Sequence, residues 1–419
     1  MRRSREHSED KGIGGASPRR GITRRRFVAG TAATGAAAIA LGAVSGCGGD
    51  GGGQAAPTGT PQVVEDDSQA TYVSDEFGTD AKVPEASSTW TLPLGTVPFH
   101  SEGAYMALMQ LSDTAATANK LGVMSLSSGT ASTLLEAPSQ GSRYEFFDVR
   151  CGESVFAWAE VNYSDRSWKL MAQPFSAGSL SGSPVQLDEG DSNYDPPKFA
   201  VRGASVIWQF MPSTSGGRTT EHSFCRMWTA GDDEGVQIWD SPGRFGAAPR
   251  ISGGILTITP RVREDEGQFY GMTAVDLTDA DRAQVDQLVL PQSVHPLEAT
   301  YMGDRFAFCI EASYEGRGLL GQMGTFIGRE GGPYLVLSSE PLACVAGKGS
   351  QYFVKSQGSH VYIDAEAQQR GRLSSPNRAL SYGDYPASEG VTDRFVTYAT
   401  VRDEETGMPA NVTVRLFDL

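Results

Sequence analysis

The sequence predicts an all-β fold, a single β-propeller of about seven four-stranded blades. Two observations predict it. Short apolar runs typical of β-strands, such as SVFAWAEV and RFAFCIE, dominate the chain after residue 87. A short phrase ahead of such runs recurs at intervals of 43 to 51 residues, which is the period expected of propeller blades.

The repeated phrase is a glycine followed three residues later by an apolar residue of the next strand. Glycine suits a tight turn between two strands, because it adopts positive φ without steric strain. In the seventh unit a threonine takes the place of the glycine. The repeating positions are Gly103, Gly152, Gly203, Gly253, Gly303, Gly349 and Thr392.

Each unit continues with segments that complete a blade. A proline stands a few residues ahead of most turns, at the predicted start of the innermost strand, because proline lacks the N–H that a strand interior requires. Third and fourth strands such as WKLMAQ (168–173) and YLVL (334–337) follow. Seven units predict seven blades, with six blades, eight blades or a pair of β-sandwiches as the alternatives.

The last unit, residues 385–419, holds only three strand-like segments. Residues 88–93 (STWTLP) precede the first unit and also have strand character. Pairing of this N-terminal strand with the final segment VTVRLFDL would complete the last blade. We therefore expect the N-terminal strand to close the ring.

The first 47 residues have the layout of a secretory signal, with a basic region, a short alanine-rich apolar region and a small-residue exit. The order TRRRF (23–27) resembles the twin-arginine signal of bacterial Tat export, and VSGC (44–47) resembles a lipobox. The resemblance implies export directed by Arg24, Arg25 and Phe27, lipidation of Cys47, and anchoring on the extracytoplasmic face of the cell membrane. A chance arginine run beside an alanine-rich segment is the alternative.

The segment between the signal and the first strand has a different composition. Residues 48–86 are rich in Gly, Pro, Thr, Ser and Asp and poor in large apolar residues. Such a segment buries too little apolar surface to offset its ordering entropy. The expected domains are therefore a Tat-type lipoprotein signal peptide at 1–47, a disordered linker at 48–86 and the propeller at 87–419.

Charge and cysteine content exclude several classes of protein. Residues 48–419 hold 26 Lys and Arg against 47 Asp and Glu, a net charge of −21, which disfavours nucleic acid as a partner. The four cysteines beyond Cys47 are widely spaced without a CxxC motif, so we interpret them as buried apolar residues rather than zinc ligands, with one disulfide as the alternative outside the cell. No motif predicts a cofactor, a metal site or catalytic residues. The DSNYD stretch at 191–195 opens like a calcium loop, but two prolines follow where that loop needs a glycine.

The phrase of proline, glycine and apolar run extends over nearly all of residues 87–419, and it resembles the TolB-like and WD40-like propellers. The blades do not repeat the Trp-Asp pair of WD40 repeats, which occurs once, at 239–240, and they lack the Gly-His pair and the Ser-Pro-Asp-Gly turn of TolB-type blades. The resemblance implies a propeller architecture and a binding scaffold. It carries no site residue over to this chain.

Propellers generally bind at one mouth of the central channel, where the loops that enter the innermost strands converge. Carboxylate, imidazole and phenol side chains in those loops could hold a cation, a sugar or a peptide. The other reading is that they are ordinary polar loop residues. The candidate ligand ring is Glu145, Asp195, His295, Glu340, Asp384 and Tyr385.

Two functions remain open from the sequence. The first is a membrane-anchored extracytoplasmic lipoprotein whose propeller binds a partner protein or a small molecule. The second is a secreted carbohydrate-active enzyme, a glycosidase or lyase, that uses carboxylates in the channel. Two carboxylates about 5 to 9 Å apart in a deep pocket would favour the enzyme.

Overall fold

The computed structural model describes residues 59–112, 114, 117–263, 266–311, 318–339, 343–380 and 383–419, without the side chains of residues 216 and 219. The strands of these residues form seven sheets, which are the seven blades of a β-propeller. The predicted fold class is confirmed. None of the helices among the described residues is long and apolar enough to cross a membrane.

Two strands and a short helix precede the first blade. They are β1 (Ala70–Tyr72), α1 (Val73–Glu76) and β2 (Ser88–Pro93). Short 3-10 helices lie at Asp67–Gln69, Ser215–Thr220 and Leu319–Gly321.

Blades 1 to 3 follow the predicted spacing. Blade 1 contains β3 (Val97–Glu102), β4 (Tyr105–Gln110), β5 (Lys120–Ser125) and β6 (Ala131–Leu135). Blade 2 contains β7 (Glu145–Cys151), β8 (Val155–Asn162), β9 (Ser167–Ser176), β10 (Ser179–Leu180) and β11 (Val185–Gly190). Blade 3 contains β12 (Lys198–Arg202), β13 (Ser205–Phe210), β14 (Ser223–Thr229) and β15 (Val236–Ser241).

Blades 4 to 7 repeat the same order. Blade 4 contains β16 (Arg250–Ser252), β17 (Ile255–Ile258), β18 (Arg261–Val262), β19 (Phe269–Asp276) and β20 (Gln284–Val289). Blade 5 contains β21 (Pro296–Tyr301), β22 (Phe306–Ile310), β23 (Gly324–Gly328) and β24 (Tyr334–Leu337). Blade 6 contains β25 (Ala346–Lys348), β26 (Gln351–Ser356), β27 (Ser359–Asp364) and β28 (Gln369–Leu373). Blade 7 contains β29 (Tyr385–Pro386), β31 (Arg394–Arg402) and β32 (Pro409–Asp418), and β30 (Gly390–Val391) pairs with β25 of blade 6.

The repeated glycine occupies the turn between the first and second strands of a blade. In blade 3, Arg202 pairs with Ser205, and Gly203 in the turn between them has a φ of 56°. A side chain is strained at that φ, so glycine is favoured there. The spacing read from the sequence is therefore the spacing of these turns.

The core is distributed around the ring, with an apolar cluster between each pair of neighbouring blades. Between blades 6 and 7, for example, the rings of Phe353 and Phe395 stack with centroids 4.1 Å apart. The cysteines contribute to this core as predicted. The four described cysteines, Cys151, Cys225, Cys309 and Cys344, are buried free thiols.

The ring is closed by the N-terminal strand, as the sequence predicted. Strand β2 pairs antiparallel with β32 over six residues, from Ser88 opposite Leu416 to Pro93 opposite Asn411. Leu92 of β2 is 3% exposed and joins the apolar cluster between blades 7 and 1. The last blade thus takes its outermost strand from the opposite end of the domain.

The structure differs from the expectation of a disordered linker at residues 59–86, which we call the belt. The belt pairs with the outer strand of blade 4 at Pro61, of blade 5 through β1 and of blade 6 at Gly78. Three of its large apolar side chains are buried, Val64 and Val73 at 0% exposure and Phe77 at 6%. Composition alone did not indicate this structure, because the hydrogen-bond partners of the belt come from the outer strands of the blades and not from the polar segment itself. Residues 1–58, with the predicted signal peptide, lie outside the described residues.

Candidate functional site

The first strands of blades 1 to 5 contact one another in turn around the central channel, and β30 contacts the first strands of blades 4, 5 and 6. The channel has two mouths. At the loop mouth, loops lead from one blade into the innermost strand of the next. At the hairpin mouth lie the glycine turns between first and second strands. The candidate ligand ring was predicted at the loop mouth.

Charged side chains of four blades meet inside the channel and form what we call the channel network. Arg250 of blade 4 donates to Glu298 of blade 5, with Nη2 2.8 Å from Oε2, and also to Glu389 of blade 7. Arg150 of blade 2 reaches the same Glu389, with Nη1 3.4 Å from Oε1. Asp148 lies beside Arg150, its Oδ1 3.8 Å from Nε. The network therefore spans the channel and joins blades that are not neighbours in sequence.

The network sets the protonation of the groups around it. Burial alone would raise the pKa of Glu389, but the guanidiniums of Arg250 and Arg150 hold it at about 2. Burial, assisted by Arg150, lowers the pKa of His100 to about 4. At neutral pH the channel therefore holds an ionised Glu389 and a neutral imidazole.

A cavity of about 570 Å³ lies beside the network and extends to the hairpin mouth. Its lining includes Glu389 of the network, so the network borders the cavity. The volume is within the range of small-molecule sites, roughly 300 to 1,000 Å³. Other charged or titratable residues of its lining are His100, Glu102, Glu153, Arg202, Asp393 and Arg394.

Glu102 joins three hairpins at the hairpin mouth. Its Oε1 accepts a hydrogen bond from the backbone N–H of Gly203, at 3.1 Å, and its Oε2 is buried without a partner. A Cβ at Gly152 would stand 2.6 Å from the carbonyl oxygen of Gly203, so only glycine allows these hairpins to approach. Burial first, and then the charge of Glu153, raise the pKa of Glu102 to about 7. Glu102 can therefore bind or release a proton near neutral pH.

The described members of the predicted ring lie outside the lining of this cavity, and of these members only Asp384 and Tyr385 are adjacent to each other. Asp195 is paired with Arg244, its Oδ2 2.6 Å from Nη2. His295 contacts Gln268, with 3.0 Å between the two Nε2 atoms, and burial lowers its pKa. Glu145 is the exposed first residue of β7. No hydrogen bond, ion pair or ring contact among the described residues joins two members of the ring across the channel.

The remaining ring members fall into different environments. Asp384 is 0% exposed and accepts hydrogen bonds from the backbone of Ser375 at 2.6 Å and from Arg415 at 3.1 Å. Tyr385 is 36% exposed, with the Nζ of Lys355 5.3 Å from its ring centroid. Glu340 lies outside the described residues.

The channel network was missed from the sequence although a signal for it exists. His100, Arg250 and Glu389 each stand three residues before the repeating turn position, and Lys198 and Glu298 stand five residues before it. Side chains alternate between the two faces of a strand, so positions three and five share one face. A charged residue there, in an otherwise apolar innermost strand, points to the channel.

The described residues contain no group of three or more His, Cys, Asp or Glu side chains placed to hold a metal ion. The polar groups of the cavity are carboxylates, guanidiniums, an imidazole and the hydroxyls of serine and threonine. Such a set can bind a ligand through hydrogen bonds and charge. A protonated Glu102 can also donate a proton.

Comparison with known proteins supports the fold. No protein-family model and no curated protein sequence matches the chain. Similar solved structures include prolyl endopeptidases (TM-score 0.48, 12% identity, 77% of this chain and 50% of theirs) and puromycin hydrolase (TM-score 0.47, 13% identity, 78% of this chain and 53% of that one). The chain spans about half the length of these two proteins.

The β-propeller domain of the Trilobed protease from Pyrococcus furiosus is similar at a TM-score of 0.50 and 8% identity, over 79% of this chain and 94% of that domain. The chain therefore shares its propeller fold with a peptidase propeller domain. That domain is described as having an open velcro topology, whereas β2 closes the ring in this chain.

Proposed function

We propose that this chain is a lipid-anchored extracytoplasmic protein whose propeller is a binding scaffold, with its ligand held in the central cavity at the hairpin mouth. The observation that carries the proposal is the cavity of about 570 Å³ with charged side chains from several blades in its lining. Polar groups that converge on a pocket of this size are typical of ligand sites. The ligand is a small molecule or an exposed end of a partner protein.

Glu102 and Glu153 are the residues whose removal tests the cavity. Tagged protein would be captured from detergent-solubilised membranes, and the co-purifying species identified by mass spectrometry. We expect Glu102→Gln with Glu153→Gln to retain about 10-fold less of the species bound by the wild type, because hydrogen bonds to charged groups contribute roughly 1.5 to 3 kcal/mol.

Glu189→Gln is the matched control. Glu189 is an exposed carboxylate in β11, paired with Lys169 at 3.1 Å, and it is outside the lining of the cavity. This control should retain the bound species in full. Equal retention by all three proteins would place the ligand outside the cavity, and Asp195→Asn and Tyr385→Ala would then test the loop mouth.

The membrane anchor is supported by the sequence at 23–27 and 44–47 and is tested separately. Cys47→Ala should prevent incorporation of radiolabelled palmitate, because the cysteine thiol is the acylated group of a lipobox. Arg24→Lys with Arg25→Lys should leave unexported precursor in the cytoplasm. Palmitate label on the Cys47 variant, or normal export of the arginine variant, would contradict the respective part of the proposal.

A carbohydrate-active enzyme is the second candidate, favoured by one observation. Glu102, with a pKa of about 7, and Glu153 line the same cavity, and glycosidases use a protonated and an ionised carboxyl group. Chromophore release from a panel of nitrophenyl glycosides would show activity that is lost in Glu102→Gln and in Glu153→Gln. Activity that survives both substitutions would exclude these two residues as the catalytic pair.

A further inference from the structure

A second group of buried polar side chains lies between blades 6 and 7, close to the loop mouth. We call it the interblade cluster. Lys355 and His360 of blade 6 are 1% and 0% exposed, and Asp384 is 0% exposed. The members of the cluster are Lys355, His360, Ser375, Asp384, Thr397 and Arg415.

The strand register places these residues on facing surfaces. Phe395 of β31 packs against Phe353 of β26, and His360 meets Phe395 edge-on at 5.2 Å. Thr397 lies two residues beyond Phe395 on the same face of its strand, and Lys355 two residues beyond Phe353. The aromatic half of this interface thus continues into a polar half toward the loop mouth.

The polar half is incompletely hydrogen-bonded. Both ring nitrogens of His360, Oγ of Ser375, Oγ1 of Thr397, Nε of Arg415 and Oδ1 of Asp384 are buried and have no hydrogen-bond partner among the described residues. Burying so many unpaired polar atoms is costly, because each loses its hydrogen bonds to water without gaining another. Donors are well represented among them, because the Arg415 nitrogen can only donate and the two hydroxyls and the imidazole can each donate one hydrogen.

The charges of the cluster are also out of balance. Lys355, Arg378 and Arg415 are cations, and Asp384 is the carboxylate that acts on Lys355 and Arg415. Its Oδ1 also lies 4.0 Å from Nδ1 of His360. Lys355 donates to backbone carbonyls, including that of Gln357 at 3.1 Å, and Arg378 donates to the carbonyl of Gly358. Burial first, together with Arg378, lowers the pKa of Lys355 to about 8 despite Asp384. Positive charge therefore exceeds negative charge in a place with little solvent.

We propose that the interblade cluster binds a small monovalent anion between Lys355, His360 and Arg415. An anion would accept the unpaired N–H and O–H groups and would offset the excess positive charge. The unpartnered atoms are inaccessible to solvent, so the anion must be small, of the size of chloride or a carboxylate group. This site is separate from the cavity of the proposed function and can be present whether or not that function is correct.

The test is the melting temperature of the purified protein at constant ionic strength, with a bulky sulfonate replaced stepwise by chloride or by formate. An anion that binds the folded state raises the melting temperature with the logarithm of its concentration above the dissociation constant. We expect this rise for the wild type and its loss in Lys355→Met. A response to chloride alone would identify a halide site, and a response to formate would identify a carboxylate site.

Lys348→Met is the matched control, because Lys348 is a lysine of the same blade with a side chain 46% exposed. It should keep the full response to the anion. No anion-specific rise in the wild type, or an undiminished rise in Lys355→Met, would overturn the proposal.

Should Lys355→Met fail to fold, wild-type crystals soaked in bromide give the answer directly. An anomalous peak beside the side chains of Lys355, His360 and Arg415 is expected. The absence of a peak there would overturn the proposal.

Discussion

Blade 7 and blade 5 both receive an outer strand from the N-terminal segment, but they need it to different degrees. Blade 7 has three strands of its own in sequence and gains β2, antiparallel, over six residue pairs. Blade 5 already has four strands and gains β1, parallel, over three residue pairs. The first strand completes a blade, whereas the second covers the edge of a complete one.

The comparison separates two physical roles of strand addition. Strand β2 carries part of the apolar cluster between blades 7 and 1, so its loss would open the ring. Strand β1 protects the outer edge of β24, and exposed edges invite association with other chains. Loss of β2 should therefore affect folding, and loss of β1 should affect mainly solubility and melting temperature.

The largest effect is expected from a variant that begins at residue 95. It lacks β2 and the buried Leu92. Each lost backbone hydrogen bond withdraws roughly 0.5 to 1.5 kcal/mol, against a net stability of about 5 to 15 kcal/mol. We expect this variant to unfold or aggregate in thermal melting and size-exclusion chromatography. A monomeric protein with an unchanged melting temperature would show that the ring does not depend on β2.

A smaller effect is expected from a variant that begins at residue 87. It keeps β2 and lacks the belt, with the buried Val64, Val73 and Phe77. Burial of each such side chain contributes roughly 1.5 to 3 kcal/mol, but the ordering entropy of the belt offsets much of that gain. This protein should fold, melt at a lower temperature and self-associate more at high concentration. If it behaves like the variant that begins at residue 95, the belt and β2 are equally necessary and the distinction fails.

Single substitutions sharpen the same comparison. Leu92→Ala in β2 should cost about 2 to 5 kcal/mol, the range for a buried leucine. Val73→Ala in α1 should cost less, because fewer buried methyl groups are removed and the belt can separate locally. Urea unfolding of both variants, with the slope of the transition held as a check on two-state behaviour, measures the difference. A larger loss in the Val73 variant would reverse the order proposed for the two segments.

The smallest effect is expected at the hairpin mouth. Glu102 links hairpins of different blades there, just as the belt links the outer strands of different blades. The pKa of Glu102 is raised to about 7 by burial and by Glu153. Its contribution to stability is therefore complete below its unfolded pKa of about 4.3 and is lost as the pH rises through 7. The difference in melting temperature between wild type and Glu102→Gln should change over that interval. A constant difference would show that Glu102 does not titrate there.

The loss of stability at acidic pH depends on other groups. The lowered pKa values of His100, about 4, and Glu389, about 2, contribute stability at neutral pH. That stability is lost as the pH falls through these values. The interval of His100, from about 6.5 to about 4, overlaps that of Glu102. The Glu102→Gln comparison isolates the contribution of Glu102 because it changes that group alone.

The repeat was readable from the sequence because each turn imposes its own requirement on one residue. Gly203 and Gly253 have φ near 57°, and such a position favours glycine wherever it recurs. The closing strand was readable because the last unit was one strand short. The belt was not, because Val64, Val73 and Phe77 are isolated in a polar stretch and their partners come from strands more than 200 residues away.

The site was harder to predict than the fold. The ring was sought in loops, where Asp195 and His295 prove to have local partners. The channel network instead uses Arg250 and Glu298, which lie within strands. Single charged residues are hard to recognise there because the surrounding strand residues are apolar. Their convergence depends on blades far apart in sequence, which a search for local motifs does not detect.

The closure by β2 has a consequence for the time course of synthesis. The residue just ahead of β2, Ser87, bonds to Leu416, 329 positions later. At roughly 5 to 20 residues per second, a ribosome needs about 15 to 65 s to make the chain between them. Throughout that interval β2 has no partner strand, and the apolar side chain of Leu92 is exposed to solvent or bound by a chaperone. The ring can therefore close only after β32 has left the ribosome.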